Sequence, residues 1–149
     1  MSTLRDPGAR KADVLAALDR QKDLWLASAD ASGRPHLIAV SAWWDGKEVV
    51  IATSGGSRTA RNLKENPVVR LALGSPDDVI VIDARAVCSR PVEDSAELAG
   101  DFASAVGWNP REVGEGWVFI RLAPERIQAY KGYDELEGRD VMKKSRWLA

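Results

Sequence analysis

Between Val49 and Leu73 the chain reads VVIATSGGSRTARNLKENPVVRLAL, its densest set of groups suited to holding an anion. Thr53, Ser54 and Ser57 carry hydroxyls that can donate to phosphate oxygens. Gly55 and Gly56 let a ligand come close to the backbone. Arg58 and Arg61, three residues apart, fall on neighbouring positions of one helix face. Ser57 is suited to cap a helix that runs to about Glu65, where Asn66-Pro67 stops it. Cations in the first turn of a helix oppose its macrodipole, at a cost of roughly a few tenths of a kcal/mol each. They make sense there if an anion lies between them and the free backbone N–H groups. The alternative is a capped surface helix whose arginines face water. Neither GxxxxGK[ST] nor GxGxxG occurs, so what remains is a mononucleotide-sized anion site.

The neighbouring elements must position that loop. Val49–Ala52 is a β-branched strand that delivers it, and Asp45-Gly46 is a strong hairpin signal joining this strand to the one before, His36–Trp44. That strand is apolar on both faces for much of its length, which predicts burial. Its middle residues, Ile38, Ala39, Val40 and Ser41, should lie beside whatever the loop holds. Asp23–Ala29 is a first strand, followed by the turn DASGRP. Val68–Leu73 is a fourth. Val79–Cys88 is a fifth, and from Ile82 it alternates, placing Ala84, Ala86 and Cys88 on one dry face. Trp117–Leu122 and Arg126–Tyr130 read as two final strands around an Ala123-Pro124 break.

Asp6-Pro7 opens an amphipathic helix over 7–20, with Val14, Leu15 and Leu18 as its apolar stripe, suited to cover one barrel end. Leu98, Phe102 and Val106 mark another helix within Pro91–Val106. The tail, 131–149, is polar until Arg146-Trp147-Leu148 and is expected to project as an arm. Together these elements predict one mainly β domain over 1–149, an antiparallel barrel with peripheral helices.

Composition narrows the function. With 149 residues, 45% hydrophobic and 29% charged, this is an ordinary globular composition. A formal charge of −1 argues against a general nucleic-acid binder. A single cysteine, Cys88, excludes an intrachain disulfide and points to a reducing, cytoplasmic setting. No long apolar run suggests a membrane span, and one histidine with one cysteine argues against a protein metal site. No distinct catalytic acid, base or nucleophile stands out.

The turn DASGRPH, the strand after it, Asp-Gly, and then ATSGGSRTARNLKENPVVRLAL closely resemble the flavin-binding split-barrel family typified by pyridoxamine 5′-phosphate oxidase. The resemblance spans about residues 12–130 and is nearest to small bacterial members, some using FMN and others the 8-hydroxy-5-deazaflavin coenzyme F-420. It implies a six-stranded antiparallel split β-barrel, a homodimer with cofactor sites at the interface, and hydride transfer to a small-molecule substrate. By resemblance the flavin ring lies along Ile38, Ala39, Val40 and Ser41, touched largely through backbone groups. Thr53 and Ser54 sit at the strand end, and Ser57 and Arg58 hold the phosphate. Some relatives imply a non-catalytic flavin-binding or haem-binding carrier or sensor instead.

This chain departs from the family pattern at three cations. The position after the motif arginine is Thr59 where the family has lysine, and Leu37 and Ala42 stand where an arginine and a lysine bracket the second strand. Arg61, one turn along the same face, is a candidate to compensate. True pyridoxamine-phosphate oxidase activity is therefore not expected. His36 reads as a turn-end side chain bonding its neighbours, since a flavin carries the redox chemistry itself. Trp147 is expected to seek an apolar groove, on the partner subunit near its site or on its own chain. Lys143, Lys144 and Arg146 form a solvated run that could meet the polyglutamate tail of a deazaflavin.

Overall fold

A computed structural model describes residues 4–149. Six strands form the barrel: β1 (Asp23–Ala29), β2 (Pro35–Trp44), β3 (Val49–Ser54), β4 (Val68–Ser75), β5 (Asp78–Pro91) and β6 (Trp117–Tyr130). Their order is β3-β2-β1-β4-β5-β6, and antiparallel pairing of β3 with β6, from Val49↔Leu122 to Ser54↔Trp117, closes the ring. Closure ties the two ends of the six-stranded sheet together, and the interior is filled with side chains. Leu26, Ile51, Leu71, Ile82, Leu122 and Ile127 are all fully buried there. Helix α1 (Pro7–Arg20) begins as its sequence requires, with Asp6 Oδ1 accepting from the Ala9 N–H at 2.8 Å. Its Val14, Ala17 and Leu18 close one end of the barrel core. Helix α2 (Arg58–Glu65) spans the other end between β3 and β4, putting Leu63 into the same core.

A second core lies outside the barrel. Helix α3 (Ala96–Val106) packs Phe102 against Phe119 of β6, with ring centroids 5.5 Å apart, and edge-on against Trp108 at 5.7 Å. Strand β3 is sandwiched between the two cores: Val49 and Ile51 face the barrel, while Val50 and Ala52 face α3. That position explains the uninterrupted apolar run VVIA.

Four sequence expectations are corrected. The two predicted final strands are one, β6, which passes through Pro124 because Ala84 faces Pro124 while Asp83 faces Arg126, leaving Glu125 as an extra bulged residue. Proline lacks a ladder donor and is tolerated at such a bulge. A second bulge makes Val87 the extra residue, since Ala86 faces Leu122 and Cys88 faces Arg121. It reverses the alternation, so Cys88 leaves the dry face and lies half-buried on the outer side. Strand β2 is buried only at its end: Ala42 and Trp44 are covered, whereas Leu37 is 62% and Ile38 40% exposed. The tail does not project. It adds β7 (Asp140–Lys143) and β8 (Arg146–Trp147) beside β6.

A buried ion cluster clamps that tail. Glu135 is 4% exposed and accepts from Arg5, while the Arg10 guanidinium donates to the carbonyls of Ala129, Glu135 and Gly138. The Arg5 hydrogen bonds hold the Glu135 carboxyl down to about 2.

Candidate anion and cofactor site

The loop between β3 and α2 folds as its residues dictate. Ser57 caps α2, its Oγ accepting from the Ala60 N–H at 3.1 Å, and stands 2.9 Å from Thr53 Oγ1 at the end of β3. The Gly55 N–H donates to the Gly116 carbonyl at 2.7 Å, and a Cβ built on Gly55 would meet that oxygen at 2.9 Å. Glycine is required there by close backbone approach. In the first turn of α2 the N–H groups of Arg58 and Thr59 have no acceptor among the described residues. The only buried side-chain polar atom without a partner among those residues, Thr59 Oγ1, belongs to the same turn.

Arg58 and Arg61 are exposed and form no ion pair among the described residues, so both guanidiniums are available to a ligand. They line a shallow groove with Asp30, Asn62 and Glu65. Asp30 begins the turn after β1, and its Oδ1 accepts from the Ser32 and Arg34 N–H groups at 2.9 Å each. The Arg34 hydrogen bond chiefly lowers its pKa, and the charge of Arg58 contributes. Asn62 anchors α2 to the barrel, its Nδ2 donating to Ser28 Oγ at 3.0 Å, with both side chains buried.

Across from the loop the barrel splits. Strand β2 pairs with β1 along Pro35–Ser41 but with β3 only at Ala42–Trp44. The other edge of residues 35–41 therefore has no strand partner among the described residues. The Ala42 N–H donates to the Lys22 carbonyl on the β1 side. Antiparallel alternation then commits Val40 and Ile38 to β1 and leaves the backbone groups of Ser41, Ala39 and Leu37 facing the gap. Ser41 is further fixed by its side chain, whose Oγ accepts from Trp108 Nε1 at 3.1 Å and donates to Asp23 Oδ1 at 3.2 Å. A flat heterocycle with polar edges fits such an unpaired strand edge, and an acidic phosphate fits the capped, cationic start of α2.

The structure thus brings Thr53, Ser54, Ser57, Arg58 and Arg61 into one loop and helix face, with Ile38–Ser41 on the strand that splits away from it. Trp147 is placed elsewhere within the chain. It packs on the barrel core at the α1 end, where Lys11 Nζ stands 5.1 Å from its ring centroid. Of the three missing cations, Ala42 occupies a buried position, 3% exposed, whereas Leu37 is on the open part of β2. The structure adds Asp30, Asn62 and Trp108 to the surroundings of the site. The i to i+4 spacing of Arg58 and Asn62 carries a signal for the second, but nothing local links Trp108 to Ser41. No three or more His, Cys, Asp or Glu among the described residues are grouped to hold a metal ion, and no helix among them is long and apolar enough to cross a membrane.

A family model described as pyridoxamine 5′-phosphate oxidase matches residues 11–131. No curated protein sequence matches. Among solved structures, an F420 reductase superposes with a TM-score of 0.65 at 20% identity, over 75% of this chain and 93% of that one. General Stress Protein 26 from Bacillus anthracis str. Sterne gives 0.65 at 21% identity, over 80% and 92%. HutZ, the haem storage protein from Vibrio cholerae, gives 0.58 at 16% identity, over 92% and 99%. At these identities the likeness is one of fold.

Proposed function

The chain belongs to the pyridoxamine 5′-phosphate oxidase family, and from that premise we propose that it is a homodimeric oxidoreductase that binds FMN, or alternatively coenzyme F-420, and transfers hydride to a small molecule. One observation carries the reading: the capped start of α2, whose two N–H groups and two arginines are without partners among the described residues, faces a barrel that splits at β2. Arg58, Ser57 and Thr53 would hold the phosphate. The backbone of Ala39 and Ser41 would meet the polar edge of the ring, and Ile38 and Val40 would flank it. The flavin or deazaflavin supplies the hydride chemistry when bound, and the protein orients it and excludes water. Asp30 and Glu65 beside the arginines reduce the attraction for a dianion. Retention weaker than in relatives with a fuller set of cations follows.

The homodimer rests on the open face of the barrel. Trp25, 52% exposed, lies opposite Ala39 on one side and Ala72 on the other, and Leu37 opposite Ala27. A contiguous apolar patch across three strands marks a surface that a partner covers, and β2 belongs to both the patch and the cofactor gap.

A fluorescence-quench titration with FMN and F-420 in parallel tests the reading, using the six tryptophans as reporters. Micromolar binding of one cofactor, followed by its reduction and substrate-dependent reoxidation, supports an oxidoreductase. Stable binding without turnover supports a carrier. Binding of haem and neither flavin would transfer the chain to the haem-binding reading that the likeness to HutZ raises, with His36 as the sole histidine available to the iron.

A further inference from the structure

On the side of α2 away from β2, a cleft of about 270 Å³ opens between the helix and the ends of β5 and β6. Its walls are mainly apolar, with Ala60 and Leu63 from α2, Ala86 from β5, and Val118 and Ile120 from β6, while Cys88 and Ser89 of β5 and Gly55 complete the lining. Two features of the sequence create it. Small side chains at Ala60 and Ala86 line it where a barrel end would ordinarily be filled by larger ones. The bulge at Val87 then turns the end of β5 out of register, leaving Val87 54% exposed beside the cleft. Lys64, in the last turn of α2, is the one charged residue lining it, and Lys64 has no carboxylate partner among the described residues.

We infer that this cleft is a binding site for a small apolar monoanion, a fused-ring or branched carboxylate whose body fills the apolar walls and whose charge meets Lys64. An apolar cavity of roughly 150 Å³ accepts a benzene ring, so the volume here suits about two fused rings. A cation at the mouth with no acid in the lining selects an anion over a neutral or cationic ligand. The cleft borders the phosphate loop at Gly55 but takes the buried face of α2, whereas the loop presents the exposed arginines and the helix N-terminus. It stands whether or not the chain binds a flavin.

The test uses the full chain and two probes of the same body, naphthalene-2-carboxylate and the neutral 2-naphthalenemethanol, followed by fluorescence titration. The expected result is one saturable site per chain for the carboxylate. Lys64→Met keeps the aliphatic stem and removes the charge, and should weaken the carboxylate about fivefold, as for an exposed ion pair, while leaving the alcohol unchanged. Raising the salt concentration should mimic that loss in the wild-type protein. Ala86→Leu should abolish binding of both probes, with a thermal melt confirming the fold. Carboxylate binding that is indifferent to Lys64→Met, or absent at millimolar concentrations, overturns the proposal without touching the cofactor reading.

Discussion

Thr53 Oγ1 and Ser57 Oγ lie 2.9 Å apart, one at the end of β3 and the other at the cap of α2, so the two hydroxyls close the loop over Gly55 and Gly56. Ser57 is thereby both a structural cap and a candidate ligand, whereas Arg58 beside it is exposed and makes no ion pair among the described residues.

The two roles separate by mutation. Ser57→Ala removes the acceptor for the Ala60 N–H and is expected to cost about 1 kcal/mol of stability. Arg58→Ala touches nothing that holds the fold, so its melting temperature should stay close to wild type, while cofactor affinity falls by about 1.5–3 kcal/mol. Thermal melts paired with FMN and F-420 titrations measure both. Unchanged affinity in Arg58→Ala would remove that side chain from the site.

The clamp on the tail sets an acid limit. Glu135 titrates at about 2 in the folded chain against 4.5 for a free glutamate, held down first by the Arg5 hydrogen bonds. A folded pKa below the unfolded one means that the contribution is complete above about pH 4.5 and lost as the pH falls toward 2. Glu135→Gln leaves the buried Arg10 and the partly buried Arg5 without their carboxylate and is expected to cost about 3 kcal/mol at neutral pH. Urea melts of both proteins across this range should show the gap narrowing with acid. A gap that stays constant would mean that the carboxylate charge is not what holds the tail.

Local chemistry made most of the barrel legible. The caps Asp6 and Ser57, the Asp45-Gly46 hairpin and the period of Ile82, Ala84 and Ala86 all act within a few residues, and α1, β3, α2 and most of β5 follow from them. The bulges at Val87 and Glu125 arise from the register that β5 and β6 adopt around a closed ring, and no residue type announces them, so neither the side that Cys88 takes nor the passage of β6 through Pro124 is legible locally. The apolar sequence of β2 signals more burial than the strand has, because an apolar strand looks alike whether its own chain or another covers it. In the site, the loop from Thr53 to Arg61 is one contiguous segment and readable as such. The hold of Trp108 on Ser41 joins residues 67 apart and needed the fold. The polar composition of the tail suggests a projecting arm because nothing local shows that Glu135 is held out of water by Arg5 and Arg10, far away in sequence.

The apolar face on β2, β1 and β4 yields a prediction about assembly. Trp25 stands on the outer side of β1, 52% exposed, with Leu37 across the sheet at 62%. Neither supports the barrel interior, which Leu24 and Leu26 fill from the opposite face of β1. Trp25→Lys should therefore leave the monomer fold stable to within about 0.5 kcal/mol, as for a surface substitution. At an interface the same change buries a charge against an apolar partner and is strongly unfavourable. Sedimentation velocity should find a dimer in the wild type and a monomer in Trp25→Lys. Because β2 carries both this face and the cofactor gap, the monomeric variant should also bind cofactor more weakly, although Trp25 is not among the residues assigned to the phosphate or the ring. A variant that stays dimeric would place the interface on another surface, and a monomer with full cofactor affinity would show that one chain completes the site alone.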